Sequence, residues 1–150
     1  MLDMMLEFSW SVGKQTVILG GDVTGQRCIH DLRKQQGPVA GIEALLNSDI
    51  DSNYLVVGCD MPNLNKHDIE PLLASDDNAV FSHGNKLLGL PLRIKSEEQS
   101  SCTAYLDSGG RSIRGFVSEI AHVEIKLEEG KSSRLLSVNS PDDLDNLSLE

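Results

Sequence analysis

The stretch Gly58-Cys59-Asp60-Met61-Pro62 follows directly on the apolar run Tyr54-Leu55-Val56-Val57, so it delivers a carboxylate just past the end of a strand. A hard divalent cation such as Mg2+ is typically held by one or two carboxylates together with substrate phosphate oxygens, and one aspartate so placed is enough to anchor it. The same Asp60 is equally suited to closing a turn or capping the next helix. Gly37-Pro38-Val39-Ala40-Gly41 opens a helix with Pro38 at the first helical position and two glycines that permit close approach to the backbone, leaving N–H groups aimed at an anion. An ordinary helix start with Gly41 packed on a sheet explains those residues as well. In Ser137-Val138-Asn139-Ser140-Pro141-Asp142-Asp143, helix physics accounts for Ser140 as cap, Pro141 as first helical residue and the two aspartates at the positive end of the dipole. Asn139 is left over. Asp31, after the short strand Cys28 to His30, is a candidate ligand or a polar strand end.

Other chemistries find no support. His30, His67, His83 and His122 lack metal-ligand spacing with one another, so no zinc site is assigned. No GxSxG, HExxH, GxGxxG or GxxxxGK[ST] pattern occurs, which removes the hydrolase elbow, the zincin helix, the dinucleotide fingerprint and the P-loop. Thirteen Lys+Arg against 23 Asp+Glu give a net charge of −10, so nucleic acid and anionic membrane surfaces are repelled over most of the exterior. Cys28, Cys59 and Cys102 are odd in number and scattered, as expected of reduced thiols in a cytosol. No apolar run approaches the roughly 18 residues needed to span a bilayer, and the N-terminal stretch Met1 to Trp10 reads as an amphipathic helix rather than a signal peptide. The expectation is a cytoplasmic protein with no membrane partner.

The 150 residues are about the length of one domain. Hydrophobic period switches along the chain between strand-like and helix-like. Thr16 to Leu19 and Tyr54 to Val57 read as buried parallel strands, with Arg27 to His30 as a short strand and a helix behind Pro38 between them. Asn65 to Leu73 reads as a helix interrupted near Pro71, and Ala79 to Phe81 and Leu90 to Ile94 as strands flanking a polar turn from Ser82 to Lys86. Glu97 to Leu106 and Arg111 to Ile120 read as helices, His122 to Leu127 as a strand, and Leu135-Leu136 as a last strand before a helix from Pro141. Such alternation predicts an α/β three-layer sandwich around a mainly parallel sheet. Ligands then sit beyond the carboxyl ends of the strands, at Gly20 to Asp22, Asp31 to Gly41, Gly58 to Asn63 and Ser137 to Asp143.

Taken together, GPVAGIEALL, YLVVGCDMPNL, YLDSGGRSIRGF and LLSVNSPDDL resemble in kind and order the molybdenum cofactor guanylyltransferases, the MobA-type nucleotidyltransferases, over about Thr16 to Leu147. The resemblance implies a Rossmann-like, nucleotide-diphospho-sugar transferase-like sheet, and transfer of GMP from GTP onto the phosphate of molybdopterin with Mg2+ as the metal. By the same resemblance Asp60 is the catalytic residue that binds Mg2+ and the nucleotide phosphates. Asp31 serves the guanine nucleotide, Gly37, Pro38 and Gly41 line the nucleotide, and Asn139 belongs to the closing Asn-Val-Asn-Thr-Pro motif. Arg93, Arg111 and Arg114 are cations available to an anionic pterin phosphate, or simply solvated surface. The family also opens with a first strand and a Leu-Ala-Gly-Gly-x-Ser-x-Arg-Met-Gly loop with a following lysine, and neither is found in this sequence. The expectation is therefore one nucleotidyltransferase-like domain over 1–150, incomplete at its N-terminus, with open strand edges that favour homo-oligomers. A loop of that kind stabilises the leaving pyrophosphate, and such groups are commonly worth about 10² to 10³ each in rate. Two alternatives stand beside the enzyme: a non-catalytic nucleotide-binding or interaction protein of the same family, and a related cytidylyl or sugar-nucleotide transferase.

Overall fold

The structure, a computed structural model, describes residues 2–13, 15–61 and 64–127. In chain order its elements are α1 (Leu2–Val12), β1 (Val17–Leu19), β2 (Arg27–Ile29), α2 (Pro38–Leu46), β3 (Asn53–Val56), α3 (Lys66–Leu73), β4 (Ala79–His83), β5 (Lys86–Lys95), a 3-10 turn (Ser96–Glu98), α4 (Gln99–Asp107), α5 (Ile113–Glu119) and β6 (Val123–Lys126). Leu135-Leu136 and the helix expected from Pro141 lie outside the described residues.

Local sequence explains most of these boundaries. Gly37 occupies the N-cap of α2 with φ 80°, a left-handed conformation that only glycine adopts cheaply, and Pro38 follows with its preset φ. Val39 to Leu46 are all buried, because α2 lies between the strands and the helices α4 and α5. Asn65 caps α3 by accepting from the Asp68 N–H at 3.0 Å, while the Asp68 carboxylate accepts from the Asn65 N–H at 3.2 Å. The helix is not interrupted at Pro71 as expected. That reciprocal cap and the full burial of Ile69 and Leu72 offset the one backbone hydrogen bond the proline removes.

Three layers are present, with period-two alternation along the strands setting which side chain enters which core. Val56, Val80, Leu92 and Ile94 join α2, α4 and α5 on one face. Ala79, Phe81 and Leu88 join α1 and α3 on the other. The mainly parallel sheet, however, is not what forms. β1 and β2 pair in parallel as a two-stranded sheet, and a separate four-stranded sheet runs in the order β3-β5-β4-β6. In the latter, β5 is antiparallel to both β3 and β4, and only β4 and β6 are parallel. β3, expected as a parallel strand, is thus antiparallel to its neighbour. The cause lies between β4 and β5. Their link is the two residues Gly84-Asn85, with Gly84 at φ 63°, and a connection that short joins only antiparallel strands. β5 is also longer than expected, since it passes Pro91 by a register shift against β4 between Val80 and Ser82.

Candidate active site

Two groups of the expected residues assemble, each just past a strand end. At the ends of β1 and β2, the Gly20 N–H bonds to the Ile29 carbonyl at 2.9 Å and the chain turns through Gly20 at φ 78°. Asp31 sits here, half-buried, and its Oδ1 is buried with no hydrogen-bond partner among the described residues. A Cβ placed on Gly20 would stand 3.6 Å from that oxygen, and one on Gly41 would stand 3.5 Å from it and 3.4 Å from the Leu19 Cβ. Gly41 therefore lets the first turn of α2 close onto β1 and onto Asp31, which brings Asp31, Gly41 and Gly20 together. Gly37 and Pro38 begin the same helix. Gly37 brings no side-chain cap to its free N–H groups, and none is supplied among the described residues.

The second group follows β3. The Asp60 carboxylate turns back over Gly58, where a Cβ would lie 2.6 Å from Oδ1, so the glycine two residues earlier is what makes room for it. Leu90, beside the irregular stretch of β5, packs 3.6 Å from the same position and supports the loop. Asp60 is half-buried and has no hydrogen-bond partner among the described residues. It does not cap α3, since Asn65 does. One free carboxylate at a strand end is the donor set a phosphate-bound Mg2+ needs, and among the described residues no group of three or more His, Cys, Asp or Glu side chains offers an all-protein metal cage. A cavity beside β3 is lined by Gly58 and Cys59 but by neither Asp60 nor residues 37–41. Leu19 and Cys59, the residues just before Gly20 and Asp60, lie in its wall, so the two groups border one cavity without sharing it. Asn139 lies outside the described residues.

A third set was not foreseen. Arg33 donates from Nε to Glu43 Oε1 at 3.0 Å and from Nη2 to Oε2 at 3.1 Å, and its Nη1 meets Asp107 at 2.7 Å. Thr103 donates its hydroxyl to Glu43 Oε2 at 2.9 Å. Glu43 is only 2% exposed, so this network carries a buried carboxylate and ties the segment from Asp31 to Gly37 to α2 and α4. Glu43 first, and Asp107 second, hold the Arg33 guanidinium still further above its ordinary range. Partners this far apart in sequence leave no local signal. Of the three arginines considered for a pterin phosphate, Arg93 donates to the Leu73 carbonyl at 2.9 Å and Arg111 to the Leu106 carbonyl at 3.0 Å, so both serve chain folding. Arg114 is exposed.

Comparison with known proteins agrees with this architecture. The chain is 21% identical over 145 residues to a molybdenum cofactor guanylyltransferase of Xanthomonas euvesicatoria pv. vesicatoria (strain 85-10), covering 95% of this chain and 77% of that one. A crystal structure of an Aquifex aeolicus VF5 protein superposes with a TM-score of 0.79 at 18% identity, over 93% of this chain and 79% of the other. The Archaeoglobus fulgidus molybdopterin-guanine dinucleotide biosynthesis protein A gives a TM-score of 0.65 at 23% identity, over 81% of this chain and 66% of its own. The sequence profile of the MobA-like NTP transferase domain matches residues 11–123, three quarters of the chain, and the chain belongs to that nucleotidyltransferase family.

Proposed function

We propose that this protein binds GTP with Mg2+ and transfers GMP to the phosphate of molybdopterin, forming the guanine dinucleotide cofactor in the cytoplasm. The observation that carries the reading is Asp31: a half-buried carboxylate whose Oδ1 has no partner among the described residues, held between Gly20 and Gly41 at the strand ends of a nucleotidyltransferase fold. A buried acceptor left open costs stability, and a ligand donor such as the ring N–H and amino group of guanine would satisfy it. The first turn of α2, opened by Gly37 and Pro38, offers its N–H groups to phosphate, with Gly41 keeping that turn close to Asp31. Asn139 would join from the C-terminal motif.

Asp60 is the residue that would hold Mg2+, whose contribution when bound is neutralisation of charge at the α-phosphate. The protein's own part is placement. An oxygen of the pterin phosphate forms the new bond to the α-phosphorus as the α–β bridge breaks in line, and pyrophosphate departs with the bridging electrons. Such transfer gains mostly from position and electrostatics. With a net charge of −10, the chain gives phosphates little help from its surface, so a metal at Asp60 matters all the more.

A non-catalytic nucleotide-binding protein of one domain over 1–150 is the second reading, favoured by the cavity beside β3, whose lining includes Gly58 and Cys59 but neither Asp60 nor residues 37–41. Titration calorimetry with GTP and CTP, each with and without Mg2+, tests the site on wild type, Asp60→Ala and Asp31→Asn. The expected result is GTP binding that needs Mg2+ and weakens at least tenfold in Asp60→Ala, with Asp31→Asn losing preference for GTP. Equal binding by wild type and Asp60→Ala would overturn the metal assignment. Binding without GMP transfer would select the second reading.

A further inference from the structure

Arg33 stands inside the segment that joins Asp31 to Gly37, yet its own nitrogens are all engaged by the protein. Nε and Nη2 grip the two carboxylate oxygens of Glu43 as a fork, at 3.0 and 3.1 Å, and Nη1 reaches Asp107 Oδ1 at 2.7 Å. The segment therefore meets α2 twice: Asp31 lies against Gly41, and Arg33 holds Glu43. It also meets α4 and the loop beyond it twice. Arg33 pairs with Asp107 at the end of α4, and a Cβ on Gly37 would stand 3.7 Å from the Arg111 carbonyl oxygen. Thr103 donates to Glu43 Oε2 at 2.9 Å and so ties the receiving carboxylate to α4 as well. Between these anchors the chain takes a costly shape, since Gln35 has φ 56°, a left-handed conformation that side chains disfavour.

We infer that Arg33 is a positioning residue for the nucleotide: it fixes the segment from Asp31 to Gly37 in its binding shape before any ligand arrives. This role rests on the reading of that segment as the nucleotide site. An exposed ion pair would be too weak for the task. Here the Glu43 side chain is 3% exposed and that of Arg33 29%, so the fork is shielded from water and its planar geometry sets the direction of the chain. The core alone does not require a charge at either position, because a buried ion pair can be replaced by apolar residues of like volume without loss of stability. Apolar contact would fill the same space but would lack the fork's geometry. Leu32, Lys34, Gln35 and Gly37 are exposed, so the segment has little burial of its own to hold it. Without the fork it would have to be ordered at the moment of binding, and ordering even one backbone residue is enough to weaken affinity about tenfold.

The double variant Arg33→Met/Glu43→Leu separates positioning from stability in the full chain. It removes the fork without leaving a buried carboxylate unpaired, so it should melt close to wild type. Lys34 is exposed within the segment, and cleavage after it by a lysine-specific protease reports, without any ligand, how readily the segment opens. Titration calorimetry with GTP and Mg2+ reports binding. The double variant is expected to be cut after Lys34 at least tenfold faster than wild type and to bind at least tenfold more weakly. Arg33→Lys, which keeps a charge beside Glu43 but not the fork, should fall between the two in affinity. Cutting or binding at the wild-type level by the double variant overturns the inference and leaves the nucleotide reading in place. A wild type that does not bind GTP overturns that reading, and the role of Arg33 with it. Should the double variant melt far below wild type, Arg33→Lys decides alone, and an affinity equal to wild type overturns the inference.

Discussion

Replacing Asn78 with alanine removes a junction whose cost can be worked out bond by bond. The side chain is 4% exposed. Its amide donates to Glu98 Oε1 at 3.0 Å and to the Ala121 carbonyl at 3.1 Å, and its carbonyl oxygen accepts from the Lys95 N–H at 2.8 Å. Truncation leaves the Lys95 N–H, on a half-buried strand residue, without its partner, at about 1–3 kcal/mol for a buried orphan. Water reaches exposed Ala121 and half-buried Glu98, so the losses there are smaller. The expected sum is about 2–4 kcal/mol, and at about 2–4 °C per kcal/mol for a domain of this size the melting temperature falls by roughly 4–16 °C. The backbone carbonyl of Asn78, which accepts from the Val123 N–H at 2.7 Å, survives the substitution, so the difference reports the side chain alone. Asn78→Asp sharpens the test. It keeps the acceptor for Lys95 but sets a carboxylate against Glu98, and should be at least as destabilised as Asn78→Ala at pH 7. Calorimetric scans of the three proteins give the answer. An Asn78→Ala variant melting within about 2 °C of wild type would mean that water replaces all three bonds and that the reasoning about burial is wrong.

Other outcomes follow from the same structure. Arg33→Met should lower the melting temperature, because it leaves Glu43 buried and uncompensated, and adding Glu43→Leu should raise it again; a double variant no better than the single would contradict this. Cys102 is fully buried, and burial first, with Glu43 adding, pushes its thiol from an ordinary value near 9 up to about 12. Its contribution to stability is therefore complete below pH 9 and is lost as pH rises from 9 toward 12, so alkaline denaturation should be flatter in Cys102→Ala over that window. In the native protein at pH 8, iodoacetamide should modify Cys59 well before Cys102, as mass spectrometry of the peptides will report.

The elements were legible wherever their signals were local. Gly37-Pro38 marks the start of α2 because a left-handed cap and a fixed φ are properties of those two residues alone. The β4–β5 hairpin was visible as a polar turn, but its direction depends on the strands closing to Gly84-Asn85, and the β3-β5-β4-β6 order depends on packing that no window of sequence contains. Pro91 hid the length of β5, since a strand crosses a proline only where the ladder is broken, as it is there. Within the site, Asp31 and Gly41 could each be picked out singly, and Asp31, Gly41 and Gly20 do meet. Their approach to Leu19 and the ties from Arg33 through Glu43 to Thr103 come from segments up to 60 residues apart, which only the folded chain brings together.

The split between the two sheets has a kinetic consequence. Since no ladder joins β1–β2 to the larger sheet among the described residues, the smaller pair is held to the rest mainly through side-chain packing, and such a unit opens at a lower free energy than the whole fold. Its amides should exchange through a partial opening that leaves β4 and β5 intact. A nucleotide seated at Asp31 would then slow that opening first, which makes the weaker half of the molecule the one whose breathing reports binding.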